Sequence, residues 1–151
     1  MFSLKEKTAI ISGGSKGIGK AIAFKYAEAG ANVVICSRKK DNLDSAIEEA
    51  QTLGFNIIGI ECNTGEKESI NNVVDKTLEQ FKRVDILVNN AAANPYYGPI
   101  LNSEDSHWEK IWDINVKGYF NFIKACSKSM KDNKYGKIIN VASIAAKTPL
   151  D

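Results

Sequence analysis

The chemistry in this sequence starts with eight residues, Ser12-Gly13-Gly14-Ser15-Lys16-Gly17-Ile18-Gly19, which follow a short apolar run and lead into an Ala-rich stretch. Glycine lets the backbone bring its N–H groups close to an anion, and a helix starting inside such a loop adds partial positive charge. The chemistry that fits is phosphate binding; the plain alternative is an ordinary strand-to-helix turn. Two cations suit the same anion: Lys16 inside the loop, and Arg38 beside Ser37 just after the next apolar run. A second polar feature is Asn115, which interrupts the stripe Trp108, Ile111, Trp112, Tyr119, Phe122, Ile123, Cys126. A buried amide costs about 1–3 kcal/mol unless it finds partners, so Asn115 is expected to bond locally, either at a site or merely tying a loop to its helix.

Two ligand classes compete for the loop. Gly14-x4-Gly19-Lys20 nearly spells a nucleoside-triphosphate loop, but position 21 is alanine where a Ser or Thr hydroxyl is needed for Mg²⁺. Asp85 also precedes its apolar run, Ile86-Leu87-Val88, instead of following it. The Mg²⁺-nucleotide reading is therefore weak. The spacing Gly13-x3-Gly17-x-Gly19 also differs from G-x-G-x-x-G, the commonest dinucleotide fingerprint.

The elements that must position these residues alternate. Short apolar runs at Thr8–Ser12, Asn32–Cys36, Phe55–Glu61, Ile86–Asn89 and Lys137–Val141 read as strands. Between them lie helical stripes: Gly17 to Gly30, a second through Leu43, Ala46, Ile47, Ala50 and Leu53 closed by Gly54, and a third through Ile70, Val73, Val74, Leu78 and Phe81. A long helix is expected from about Asp105 to Met130. Strands that are apolar throughout, joined by helices, predict a parallel sheet covered on both faces. Right-handed crossovers make it a doubly wound α/β sheet, most simply in the order 3-2-1-4-5, with ligands at the switch point between strands one and four. No linker or repeat interrupts the 151 residues, which read as a single domain.

Composition narrows the class. The chain is 44% hydrophobic and 25% charged with a net charge of +2, which excludes a disordered or collagen-like protein and gives no reason to expect nucleic acid or a membrane surface. No apolar run approaches the ~18 residues that span a bilayer. Cys36, Cys62 and Cys126 lack metal-ligand spacing, so no metal is expected and all three read as buried, reduced thiols of a cytoplasmic protein. His107, the only histidine, reads as a surface residue at the start of the long helix.

Ser12-Gly13-x3-Gly17-Ile18-Gly19 resembles the cofactor loop of the short-chain dehydrogenases/reductases. Three further matches follow in the family's order: Asn89-Asn90-Ala91-Ala92 closing strand four, Trp108-x6-Asn115, and Asn140-Val141-Ala142-Ser143 closing strand five. The departures are Ser12 for the usual Thr and Ala92 for the usual Gly. The resemblance implies an oxidoreductase passing hydride between NADP(H) and a carbonyl or secondary alcohol, with Asn115 holding a water and Ser143 hydrogen-bonding the substrate. Cofactor contacts are expected at Ser12, Gly13, Ser15, Lys16, Gly17, Ile18, Gly19, Ser37, Arg38, Asn63, Asn90 and Ala91. NADP is favoured over NAD because Ser37 and Arg38 stand where NAD-binding chains place an acid. Asn63 is expected to keep an acceptor for the adenine amino group. The loop Ala93–Pro99 resembles that of a carbonyl-reductase-like branch and is expected to line the substrate pocket.

The family's Tyr-x3-Lys pair has no counterpart in this sequence. None of the five tyrosines is followed four residues later by lysine, and only Ile144–Asp151 follow Ser143. The expectation is therefore the N-terminal part of a domain of roughly 250 residues, incomplete after the fifth strand, inactive alone and prone to self-association. The longer form is expected to be a homo-oligomer. A non-catalytic dinucleotide-binding or regulatory protein is the rival reading.

Overall fold

A computed structural model describes residues 3–148. Five strands, β1 (Thr8–Ser12), β2 (Asn32–Ser37), β3 (Ile57–Glu61), β4 (Ile86–Asn89) and β5 (Lys137–Asn140), form one parallel sheet in the order β3-β2-β1-β4-β5. The expected order and parallel sense both hold. Residues alternate between two cores, as strand geometry requires. Ala9, Ile11, Val33, Ile35 and Val88 pack with Ala23 of α1 (Gly17–Glu28) and with Leu43, Ala46 and Ala50 of α2 (Lys40–Thr52). Ile10, Val34 and Leu87 face Ile70, Val73 and Val74 of α3 (Lys67–Phe81) and Phe122, Cys126 and Met130 of α5 (Gly118–Asp132). β1 is buried at every position, which explains its unbroken apolar run.

The long helix runs over 105–132 as expected, but its expected inward stripe does not hold: α4 (Asp105–Ile111) passes into a π-helical segment, Trp112–Lys117, before α5 begins. The wider turn shifts the buried face, so the buried line is Ile114, Gly118, Phe122, Cys126 and Met130, each four residues apart. Trp108 and Trp112, read as part of an inward stripe, are 54% and 56% exposed. A 3.6-residue period extrapolated backward across a π turn puts the wrong face inward. Gly118 is the reason the buried line can pass here: a Cβ on it would lie 2.5 Å from the Thr64 carbonyl oxygen.

The strands enter the sheet around a buried carboxylate. Asp85 is wholly buried; its Oδ2 accepts the Thr8 N–H at 2.9 Å, and both its oxygens take the Arg83 guanidinium at 2.7 Å. Its backbone N–H donates to the Thr8 carbonyl and its carbonyl accepts from Lys137 N–H, so one residue fixes the register of β1, β4 and β5. The carboxylate in turn raises the affinity of the Arg83 guanidinium for its proton. At the far edge, all four β5 residues are exposed. No helix among the described residues is long and apolar enough to cross a membrane.

Replacing Asp85 by alanine removes the partner of a bidentate guanidinium and leaves the Thr8 N–H bare, a loss of about 3 kcal/mol. Asp85→Asn keeps an acceptor for Thr8 and is expected to lose about half as much. Urea denaturation followed by circular dichroism reads both values; an alanine variant as stable as the parent contradicts the role given to Asp85.

Candidate functional site

Where β1 and β4 end side by side, the connections leave toward opposite faces and a crevice opens between them, the position where doubly wound sheets take ligands. A cavity of about 360 Å³ lies there, lined by Gly13, Ser15, Lys16, Gly17 and Ile18 on one side and Asn90, Ala91 and Ala92 on another, with Ser37, Arg38, Cys62, Thr64 and Ile114 completing the wall.

The loop is shaped by two glycines in left-handed backbone, Gly13 at φ 65° and Gly17 at φ 55°. A Cβ on Gly13 would come within 2.9 Å of Asn90 Nδ2, whereas one on Gly17 would meet nothing within 4 Å. Gly13 is therefore needed for both conformation and space, and Gly17 for conformation beside an open approach. Gly19 works behind the loop: its Cβ would lie 2.4 Å from the Gly13 carbonyl oxygen, so only glycine lets α1 begin this close.

Hydrogen bonds hold the crevice open. The Ser12 hydroxyl accepts from the backbone N–H groups of Asn90 (3.0 Å) and Ala91 (3.1 Å) and donates to the Val88 carbonyl (3.4 Å). Asn90 Nδ2 donates to the carbonyls of Ser12 (3.0 Å) and Gly13 (3.3 Å). Gly13 N–H donates to the Cys36 carbonyl at 2.8 Å, which ties the loop to β2. Ser12, expected among the cofactor contacts, is thus buried behind the loop with its hydroxyl fully engaged in the fold. Lys16 and Arg38 are exposed at the crevice and form no ion pair among the described residues.

Asn115 sits inside the π-helical segment. Its Oδ1 accepts from Ala93 N–H at 2.8 Å and its Nδ2 donates to the Ala93 carbonyl at 2.9 Å, so both ends of the carboxamide clamp the chain just after the crevice wall. Ile114, not Asn115, touches the cavity. Ser143 is exposed after β5, and its hydroxyl accepts from Ala145 N–H at 3.2 Å. Tyr119, one helical turn from Asn115, donates to the Val141 carbonyl at 3.2 Å and anchors the approach to Ser143; burial pushes its phenol above the ordinary range. Asn89 Nδ2 donates across to Asn140 Oδ1 at 2.9 Å, while Asn89 Oδ1 has no partner among the described residues.

Asn63 lies beside the crevice, not in its wall. It lines an adjoining hollow with Arg38, Glu61, Cys62, Glu66 and Ser69. Its Oδ1 accepts from Gly65 N–H at 3.2 Å and its Nδ2 donates to Glu66 Oε1 at 2.7 Å. Four wall residues were not singled out as ligand contacts from the sequence: Cys62, Thr64, Ala92 and Ile114. Position alone marks them, since Cys62 and Thr64 follow β3 and Ala92 follows the Asn90-Ala91 pair. The three cysteines are buried and free, as expected. The Cys62 thiol, together with burial, holds Cys36 well above the usual thiol range, whereas Cys36 and Ser69 pull Cys62 below it. Burial pushes Cys126 up to about 12.

Comparison with known proteins agrees with this geometry. The family model described as short chain dehydrogenase matches residues 7–151. A rabbit (Oryctolagus cuniculus) protein named dehydrogenase/reductase SDR family member 4 is 40% identical over 146 residues, covering 97% of this chain and 56% of that protein. A solved 7α-hydroxysteroid dehydrogenase complexed with NADH and 7-oxo glycochenodeoxycholic acid superposes with a TM-score of 0.92 at 30% identity, over 99% of this chain and 58% of that one. A metagenomic short-chain oxidoreductase in complex with NADP gives a TM-score of 0.90 at 31% identity, over 97% of this chain and 66% of that one. The chain spans a little over half the length of the curated relative. On its glycine loop, its sheet order and the match over residues 7–151, the chain belongs to the short-chain dehydrogenase family.

Proposed function

We propose that these residues form the cofactor-binding part of an NADP(H)-dependent oxidoreductase acting on a carbonyl or secondary alcohol. The observation that carries the cofactor reading is the two cations, Lys16 and Arg38, that line the crevice without an ion pair among the described residues, with Ser37 where an acid would bind ribose hydroxyls. A 2′-phosphate needs such cations, and the guanidinium of Arg38 can engage it with two parallel hydrogen bonds. Glu61 and Glu66 line a neighbouring hollow with Arg38, whereas no carboxylate among the described residues lines the crevice that Lys16 and Arg38 share. The backbone of Ser15, Gly17 and Ile18 suits the diphosphate, Gly13 shapes the turn with its N–H bonded to Cys36, and Asn90 and Ala91 form the facing wall. Asn63 supports the adenine end indirectly, by shaping the turn before α3, because its carboxamide is already bonded at both ends.

When bound, the nicotinamide supplies or accepts the hydride. This chain's residues orient the partners. Asn115 fixes Ala93 beside the crevice with both ends of its carboxamide. Ser143 offers its hydroxyl proton to a substrate oxygen while its oxygen accepts from Ala145 N–H. The remaining requirement is a proton donor for the carbonyl oxygen, and no Tyr-x3-Lys pair exists among the 151 residues. Substrate is a small carbonyl or alcohol, nucleic acid and membrane are not partners, and the buried free thiols fit a reducing, cytoplasmic compartment. The exposed Trp108, Trp112, Val116 and Phe120, spaced four residues apart, favour assembly of the longer form into a homo-oligomer.

Two outcomes follow. NADPH is expected to bind tighter than NADH by fluorescence titration, and Arg38→Ala is expected to weaken NADPH about tenfold or more while leaving NADH nearly unchanged, since a charge-assisted contact contributes about 1.5–3 kcal/mol. Equal affinities, or an alanine variant that keeps the preference, refute the NADP assignment. Residues 1–151 alone are expected to give no NADPH oxidation with a panel of ketones and aldehydes, because general acid catalysis typically contributes about 10²–10⁴-fold. Ordinary enzymatic turnover by this polypeptide means that another group in it donates the proton.

A further inference from the structure

Arg38 stands where three hollows meet: the crevice, the adjoining one that Asn63 lines, and a third of about 400 Å³ reaching α4 and Ile114. Glu66 lines the second and the third, so its carboxylate shares two walls with the guanidinium. An arginine already holding a carboxylate is poorly placed to hold a phosphate as well. Yet Arg38 and Glu66 form no ion pair among the described residues. The carboxylate is also not used where its position in the chain offers a partner. Glu66 is the N-cap of α3, but its side chain takes no N–H from the first helical turn. Instead Glu66 Oε1 accepts from Asn63 Nδ2 at 2.7 Å. Asn63 is in turn fixed through its other polar groups. Its N–H donates to Ser69 Oγ at 2.9 Å, its carbonyl accepts from Glu66 N–H at 3.0 Å, and its Oδ1 accepts from Gly65 N–H at 3.2 Å. Asn63 is the anchored donor, and the exposed Glu66 side chain is the one it restrains.

We propose that Asn63 is a positioning residue for cofactor selectivity: it holds the Glu66 carboxylate off Arg38 and so keeps the guanidinium available to a 2′-phosphate. The inference rests on the NADP(H) assignment proposed for the crevice. A carboxamide suits this task because it donates at Nδ2 while accepting at Oδ1, so one side chain restrains Glu66 and closes the turn to Gly65. An aspartate at this position has no proton to donate and repels Glu66. Once released, the carboxylate opposes a 2′-phosphate in two ways. It pairs with the guanidinium that the phosphate needs, and its negative charge acts on the phosphate directly. NADH carries no 2′-phosphate and is indifferent to both. Glu61, Glu109 and Asp113 also border these hollows, but Asn63 holds none of them, and Asp113 is paired with Lys117 at 2.8 Å. Their charges are a background that does not depend on residue 63.

The discriminating variant is Asn63→Ser. A serine hydroxyl still accepts the Gly65 N–H, as in turns that serine closes, but is too short to hold Glu66. Fluorescence titrations with NADPH and with NADH give the ratio of their dissociation constants, from which any common effect of reshaping the turn cancels. The preference for NADPH is expected to fall about fivefold in Asn63→Ser, the upper end for an exposed ion pair that must be broken. In Asn63→Ser/Glu66→Gln it is expected to return to the parent's value or above, because no carboxylate is left to be released. Glu66→Gln alone is expected to keep the parent's preference or raise it. An unchanged ratio in Asn63→Ser, loss of both dinucleotides together, or a double variant that stays as low as the single one overturns the proposal, since Asn63 then acts on the turn alone. A parent that binds NADH as tightly as NADPH is a separate failure: it removes the NADP assignment, and the proposal with it.

Discussion

Everything at the site depends on how the sheet is kept from closing where β1 and β4 part. Two parallel strands whose connections run to opposite faces leave a gap, and backbone groups lining it must be satisfied without filling it. Ser12 and Asn90 do this together. One hydroxyl takes two N–H groups from the β4 exit, and one carboxamide nitrogen returns two bonds to the β1 exit. With those groups satisfied and the Gly13 and Gly14 N–H groups tied to the Cys36 carbonyl, the Ser15–Ile18 backbone is left to turn its own N–H groups to a ligand. Gly13, Gly14 and Gly19 lack side chains because carbonyls, Ile35 and Asn90 occupy the space that a Cβ needs.

The same logic governs the helix across the crevice. A regular helix satisfies its own backbone and offers only side chains, whereas a π segment re-aims a residue at the cost of regular packing. Here the widened turn spanning Trp112–Lys117 aims Asn115 at Ala93 and drops Ile114 and Gly118 into the buried line. The price is visible outside, where Trp108, Trp112, Val116 and Phe120 remain more than two-fifths exposed. Positioning of the crevice wall and exposure of that apolar face have one origin.

Much of this was legible in the sequence because the physics is local. The apolar runs place all five strands to within two residues, and the alternation of runs with helical stripes fixes a parallel sheet and its order. The glycine spacing and the cations at 16 and 38 locate the crevice wall. What stayed hidden depends on tertiary context. A π turn leaves no period of its own, so a stripe through Trp108 and Trp112 looked inward. Ser12 reads equally as a ligand contact or a clamp until β4 is placed beside it. Cys62 and Thr64 look like residues leaving a strand until β3 brings them to the crevice.

The central claim is that the crevice at the β1/β4 parting holds a dinucleotide with its 2′-phosphate at Lys16 and Arg38. Backbone amide shifts of the isotopically labelled protein, recorded as adenosine 2′,5′-bisphosphate is added, test it most directly. The account predicts the largest changes at Gly13, Ser15, Lys16, Ile18, Ser37 and Arg38, with changes at Lys16 and Arg38 much smaller for adenosine 5′-monophosphate. Shifts centred elsewhere, or the same pattern at Lys16 and Arg38 without the 2′-phosphate, contradict it.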